Sequence, residues 1–167
     1  MYRFLTILCL LLVGASVSPN ACLERWYTSQ IGVREATGHN DGPVVESYLK
    51  NVGLGKGYSW CSAFVKTGLI HCGIKNNING WAPTAVSSIN VVFQNGSFIA
   101  QPEPGDVCGI YSFTQRRIIH VFFFNRKKNS SIETVEGNTN DNGSSNGDGV
   151  YRRVRPLYSI NKIVRWL

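Results

Sequence analysis

Apolar residues recur along this chain in two rhythms, and the change between them falls near Pro104. In the first half, Leu23, Trp26, Tyr27 and Ile31 fall on one side of a helical wheel, which predicts a short amphipathic helix from Cys22 to Ile31. Gly38, Asn40 and Gly42 interrupt it with a polar loop. Pro43 then stands where a first helical position would be, and Val44, Val45, Tyr48 and Leu49 carry a second helix that Gly53 ends. After the flexible run Gly53, Gly55 and Gly57, the residues Cys61, Phe64, Val65, Gly68, Leu69 and Cys72 keep helical spacing, so a third helix should begin at Cys61 and close at Gly73.

From Pro104 onward the segments are rich in aromatic and β-branched residues: Val107 to Phe113, Ile118 to Phe124, Ile132 to Val135, Val150 to Leu157 and Ile160 to Leu167. Turn or polar residues such as Pro104-Gly105-Asp106 and Arg126-Lys127-Lys128-Asn129 bound most of them, so they read as about five antiparallel strands. Residues 140–149 are Asn, Asp, Gly and Ser only, a turn-forming loop. Helices followed by strands give an α+β fold, with helices on one face of a twisted antiparallel sheet. No internal repeat is visible.

Composition narrows the setting. A chain of 167 residues suits one domain, and 43% hydrophobic against 16% charged residues excludes a disordered chain. Lys+Arg of 17 against Asp+Glu of 10 gives +7, which favours an anionic partner: nucleic acid, acidic lipid or an anionic envelope polymer. Arg3, the apolar run Phe4 to Val13 broken only by Thr6, and the small residues Gly14, Ala15 and Ser16 describe a secretory signal peptide over about residues 1–20, cut somewhere between 15 and 21. Removing Arg3 with it takes the charge from +7 to +6, so the basic character belongs to the exported domain, 22–167. A generic nucleic-acid role loses ground accordingly, and no second segment is long enough for a transmembrane span. Pro19-Asn20-Ala21 is a poor lead-in for a lipid anchor at Cys22, which stays a weaker alternative to simple signal cleavage. Cys22, Cys61, Cys72 and Cys108 remain after the signal. They are too few for a disulfide framework, and Cys72 and Cys108 read as two buried thiols more readily than as a bridge.

The candidate chemistry lies on Cys61, His120 and a pair of polar residues. A helix N-terminus carries unsatisfied N–H groups and positive partial charge, which lower a thiol's pKa and favour the nucleophilic thiolate; Cys61 is expected there. Strand alternation puts Ile118, His120, Phe122 and Phe124 on one face, where an imidazole among apolar side chains needs a partner. Glu136 and Asn138, two apart in the next strand, should share a face and supply one, with Glu136 the principal partner and Asn138 secondary. The order Cys, His, polar orienter is that of papain-like hydrolases. His39 and His71 read as surface or rim residues, Glu35 as a cleft residue or half of a helix-end salt bridge, and no histidine–cysteine spacing suggests zinc.

Gly57-Tyr58-Ser59-Trp60-Cys61-Ser62-Ala63-Phe64-Val65, the Pro104-Gly105-Asp106 turn, the histidine strand and Val135-Glu136-Gly137-Asn138 together resemble the CHAP family of cysteine- and histidine-dependent amidohydrolases and peptidases. The lead-in Ile31-Gly32-Val33-Arg34-Glu35 to Asn40-Asp41-Gly42-Pro43 is similar to that of the same family and its NlpC/P60 relatives, so the likeness covers about residues 30–167. It implies a papain-like fold, Cys61 as nucleophile, His120 as general base, Glu136 and Asn138 as orienting residues, and no metal or organic cofactor. It also implies peptidoglycan as substrate, cleaved either between muramic acid and alanine or within the stem and cross-bridge peptides. With no cell-wall-binding repeat in the sequence, targeting is expected from the basic surface, an anchor or another protein. Two rival readings stand beside it: a non-catalytic envelope-binding module, and a secreted papain-like protease acting on proteins.

Overall fold

The computed structural model describes residues 18–142 and 146–167; the expected signal peptide therefore lies, up to residue 17, outside the described residues. Helix α1 runs Pro19–Ser29, starting three residues before the expected Cys22 because Pro19 takes the first turn and the Ser18 hydroxyl accepts from the Ala21 N–H. It buries Leu23, Trp26 and Tyr27 and leaves Ile31 beyond its end, exposed. Helices α2 (Pro43–Lys50) and α3 (Cys61–His71) form where the spacing put them, and a short 3-10 turn at Ala82–Val86 follows.

Among the described residues the sheet has seven strands, two more than expected: β1 Asn90–Gln94, β2 Ser97–Phe98, β3 Val107–Ser112, β4 Arg117–Lys128, β5 Ser131–Thr139, β6 Gly149–Pro156 and β7 Lys162–Arg165. All neighbours are antiparallel in the order β2-β1-β7-β3-β4-β5-β6, so the last strand inserts between β1 and β3. The two unforeseen strands form a hairpin around Asn95-Gly96, both at positive φ (54° and 78°), as a tight two-residue hairpin turn demands.

Two apolar clusters hold these layers. One lies between helices and sheet, with Trp26, Tyr27, Tyr48, Trp60, Phe64 and Leu69 against Val107, Val121, Phe123 and Val135. The other lines the opposite sheet face, where Val92, Phe93, Cys108, Phe122, Phe124, Ile132 and Ile163 pack strand upon strand. Helix α3 is closely packed at two glycines, Gly68 against α1 and β4 and Gly137 of β5 against its first turn. A Cβ on Gly68 would come within 2.7 Å of the Trp26 ring, and one on Gly137 of β5 within 2.7 Å of both Phe64 and Trp60.

Cys22 and Cys72 form a disulfide with Cα atoms 5.8 Å apart, tying α1 to the residue that ends α3. This corrects the reading of Cys72 as a buried thiol or a partner of Cys108, and it occupies the Cys22 sulfur that a lipid anchor would need. Cys108 is the buried free thiol expected, in the cluster on the far side of the sheet from α3. No helix among the described residues is long and apolar enough to cross a membrane.

Strand alternation fails at two places near the expected site. The β3–β4 register shifts between Ile110 and Tyr111, opposite Ile118 to His120, so Ile118 joins the helix-side core while Phe122 and Phe124 line the other face. The β5–β6 register shifts between Glu136 and Thr139, and Asn138 within that bulge has φ 59°.

Candidate active site

Cys61 is the first residue of α3, and Trp60 before it is fixed on three sides. The indole N–H donates to Glu35 Oε1 at 2.8 Å, and Glu35 Oε2 accepts from the Asn40 backbone N–H at 2.9 Å. The Trp60 carbonyl accepts the Phe64 N–H at 2.9 Å, closing the first turn. In the orientation that satisfies its neighbours, the Asn138 amide accepts from the Trp60 N–H at 3.3 Å and donates to Gly147 O at 3.0 Å and Asn40 Oδ1 at 3.2 Å. Thus the loop before α2, the start of α3 and the end of β5 are laced together around the residue that precedes the thiol.

His120 on β4 and Glu136 on β5 are both fully buried, and His120 Nε2–H donates to Glu136 Oε2 at 2.9 Å. Glu136 also accepts from Thr134 Oγ1–H at 2.6 Å, from Arg155 Nε–H at 2.8 Å on Oε1, and from an Arg155 Nη2–H at 2.6 Å on Oε2. Every oxygen of this carboxylate is engaged, as a buried charge requires. With Nε2 committed to Glu136, Nδ1 is the nitrogen left to exchange a proton with the Cys61 thiol.

Charge in the site follows from that geometry. Burial alone would raise the Cys61 thiol, but hydrogen bonding and attraction to His120, with the backbone N–H groups of Val121 and Ser62, outweigh it and hold the thiol below its ordinary value. Burial disfavours the imidazolium too, yet Cys61 and Glu136 more than compensate, raising His120 to about 9. Glu136 is held well below the usual carboxylate range against its own desolvation, first by Arg155 and then by His120. Both shifts run in the direction of a thiolate–imidazolium pair. Cys61 itself is only 4% exposed.

Cys61, His120 and Glu136 therefore converge, whereas Asn138 does not reach the imidazole, because the bulge turns its side chain to the Trp60 and Asn40 loops. Glu35 engages Trp60 and not a helix-end cation; His39 and His71 are exposed, as expected. Sequence reasoning missed Arg155 and Thr134. Arg152-Arg153 reads as solvated charge near a strand end and Arg155 draws no reading of its own; only the strand pairing shows that Arg155 points back along β5. Arg152, Arg126 and Lys128 instead surround Glu133 at 2.6, 3.0 and 2.9 Å. Among the described residues, no group of three or more His, Cys, Asp or Glu is placed to hold a metal. An open polar depression of about 410 Å³, lined by Glu35, Asn40, Asp141, Asp148 and Tyr151 among others, lies beyond Asn138. No protein-family model, curated protein or solved structure matches this chain.

Proposed function

We propose that the chain is a CHAP-like cysteine hydrolase of amide bonds in peptidoglycan. The observation that carries this reading is the thiol at the start of α3 facing a buried imidazole whose other nitrogen is held by a carboxylate. In that arrangement the Cys61 thiolate attacks the amide carbonyl, and the backbone N–H of Cys61, unsatisfied at the helix start, is one donor for the developing oxyanion. The imidazolium gives its Nδ1 proton to the leaving amine, leaving a thioester on Cys61. Neutral His120 then takes a proton from water, hydroxide adds to the thioester, and thiolate leaves as the free acid departs.

The choice of substrate rests on the CHAP-like motifs, a charge of +6 after removal of Arg3 with the signal, and the Cys22–Cys72 disulfide, a bond that persists in exported proteins. Mass spectrometry of purified peptidoglycan after digestion tests it. Wild type should release either free lactyl ends or shortened stem peptides, and Cys61→Ala should release neither while keeping a native circular-dichroism spectrum. Unfolded casein should stay intact. Casein cleavage at a comparable rate would favour a protein protease instead, and inertness toward both would favour a binding module.

A further inference from the structure

We propose that Arg155 is a positioning residue of this site, holding the Glu136 carboxylate in the one orientation that presents Oε2 to His120. The inference rests on the reading of Cys61 as a nucleophile activated by His120.

Glu136 has two oxygens and a side chain free to rotate about its last bond, so a single bond to His120 would leave its direction undefined. The guanidinium removes that freedom. It sits on β6, its Nε–H donates to one oxygen and its Nη2–H to the other, and this planar fork matches a carboxylate edge in a way a lysine ammonium cannot. Thr134 Oγ1–H adds a third restraint on Oε1. Phe122 walls the group in, with its ring centroid 5.3 Å from that of His120 and 5.7 Å from Arg155 Cζ. The Arg155 side chain is 14% exposed and that of Glu136 fully buried, so the fork is the carboxylate's main charged restraint on that side.

The charged and titratable groups around Glu136 are His120 from β4, Arg155 from β6 and the Cys108 thiol from β3; Cys61 from α3 faces His120. Burial pushes Cys108 well up, so it stays neutral and the balance lies with the other four. Two outcomes of removing Arg155 have opposite signs. If the guanidinium acted only as a nearby positive charge, its loss would strengthen the imidazolium. If it positions Glu136, its loss lets an unpaired buried carboxylate turn away or take up a proton, and the imidazolium and thiolate both weaken.

The experiment follows alkylation of Cys61 by iodoacetamide against pH, resolved from Cys108 by peptide mass spectrometry, on the full mature chain with its disulfide intact. Arg155→Met should lower the Cys61 rate at pH 6 by about tenfold and move its rise toward the free-thiol range near 8.5. Arg155→Lys, keeping a charge but not the fork, should fall between that variant and wild type. In a Glu136→Gln background, Arg155→Met should change the rate less than about twofold, since an effect transmitted through Glu136 is already lost; this pair leaves no unpaired charge and keeps the test open should Arg155→Met alone not fold. An unchanged or enhanced rate in Arg155→Met, or a further tenfold loss in the Glu136→Gln background, would overturn the proposal. Because alkylation needs no substrate, the expected pattern together with intact peptidoglycan would leave Arg155 in its role and reject the peptidoglycan-hydrolase reading instead.

Discussion

Glu136 and Asn138 are two residues apart on β5, and simple alternation would aim both at His120. The strand is regular through Glu136 and bulged at Asn138, so the carboxylate meets Nε2 while the amide turns to Trp60 and Asn40. Residue types told which groups could serve; the bulge, set by pairing with β6, told which one does. Glu136→Gln should lower the rate by roughly tenfold or more and shift the alkaline limb of the pH–rate profile to lower pH. The sign follows because a neutral amide no longer favours the imidazolium, whose pKa of about 9 must then fall. Asn138→Ala should slow the reaction by loosening the loop before Cys61, with that limb nearly unmoved. A pH–rate series on both variants checks the pair, and a shifted limb for Asn138→Ala alone would reverse their roles.

Helices were the most legible elements, because Pro43, Gly53 and Gly73 punctuate apolar spacing that tertiary packing did not override. The β1–β2 hairpin carried a readable signal in Asn95-Gly96 between Val91-Val92-Phe93 and Phe98-Ile99, hidden by its shortness and by its place outside the strand-rich half. The Cys22–Cys72 pairing was not legible, since four cysteines admit several connectivities and only folding brings the right two together. How tightly α3 lies on the sheet was equally invisible. Gly137→Ala would push a methyl against the ring bodies of Phe64 and Trp60, which cannot swing aside. We expect a loss of about 1–3 kcal/mol in urea denaturation, together with reduced activity as the start of α3 moves. Gly55→Ala, which meets nothing within 4 Å and has no positive φ, should be close to neutral. Equal effects of the two would show that the close approach has no energetic consequence.

For the whole molecule, two carboxylates set the behaviour in acid. Glu133, beneath Arg126, Lys128 and Arg152, and Glu136, beneath Arg155 and His120, both titrate near about 2 in the folded chain, against an ordinary 4.5. Between those values the unfolded chain binds more protons. The stability they contribute is thus complete above pH 4.5 and is lost as pH falls through about 2. The urea midpoint should decline across that window, and a Glu133→Gln, Glu136→Gln double variant should show a flatter decline. Added salt should reduce the part due to Glu133, whose cations are exposed, more than the part due to Glu136. Identical slopes in wild type and double variant would remove these two groups from the account.

The length of α3 also governs oxidative folding. Cys61 opens the helix and Cys72 ends it, so at about 1.5 Å per residue their Cα atoms stand roughly 16 Å apart, beyond the ~7 Å a disulfide can span. Cys22, 5.8 Å from Cys72, is by the same measure at least about 10 Å from Cys61. Cys108 lies in the cluster on the opposite sheet face. Among the cysteines of the described residues an oxidant therefore finds one pair in register, and the helix works as a spacer that keeps the Cys61 sulfur out of that cross-link.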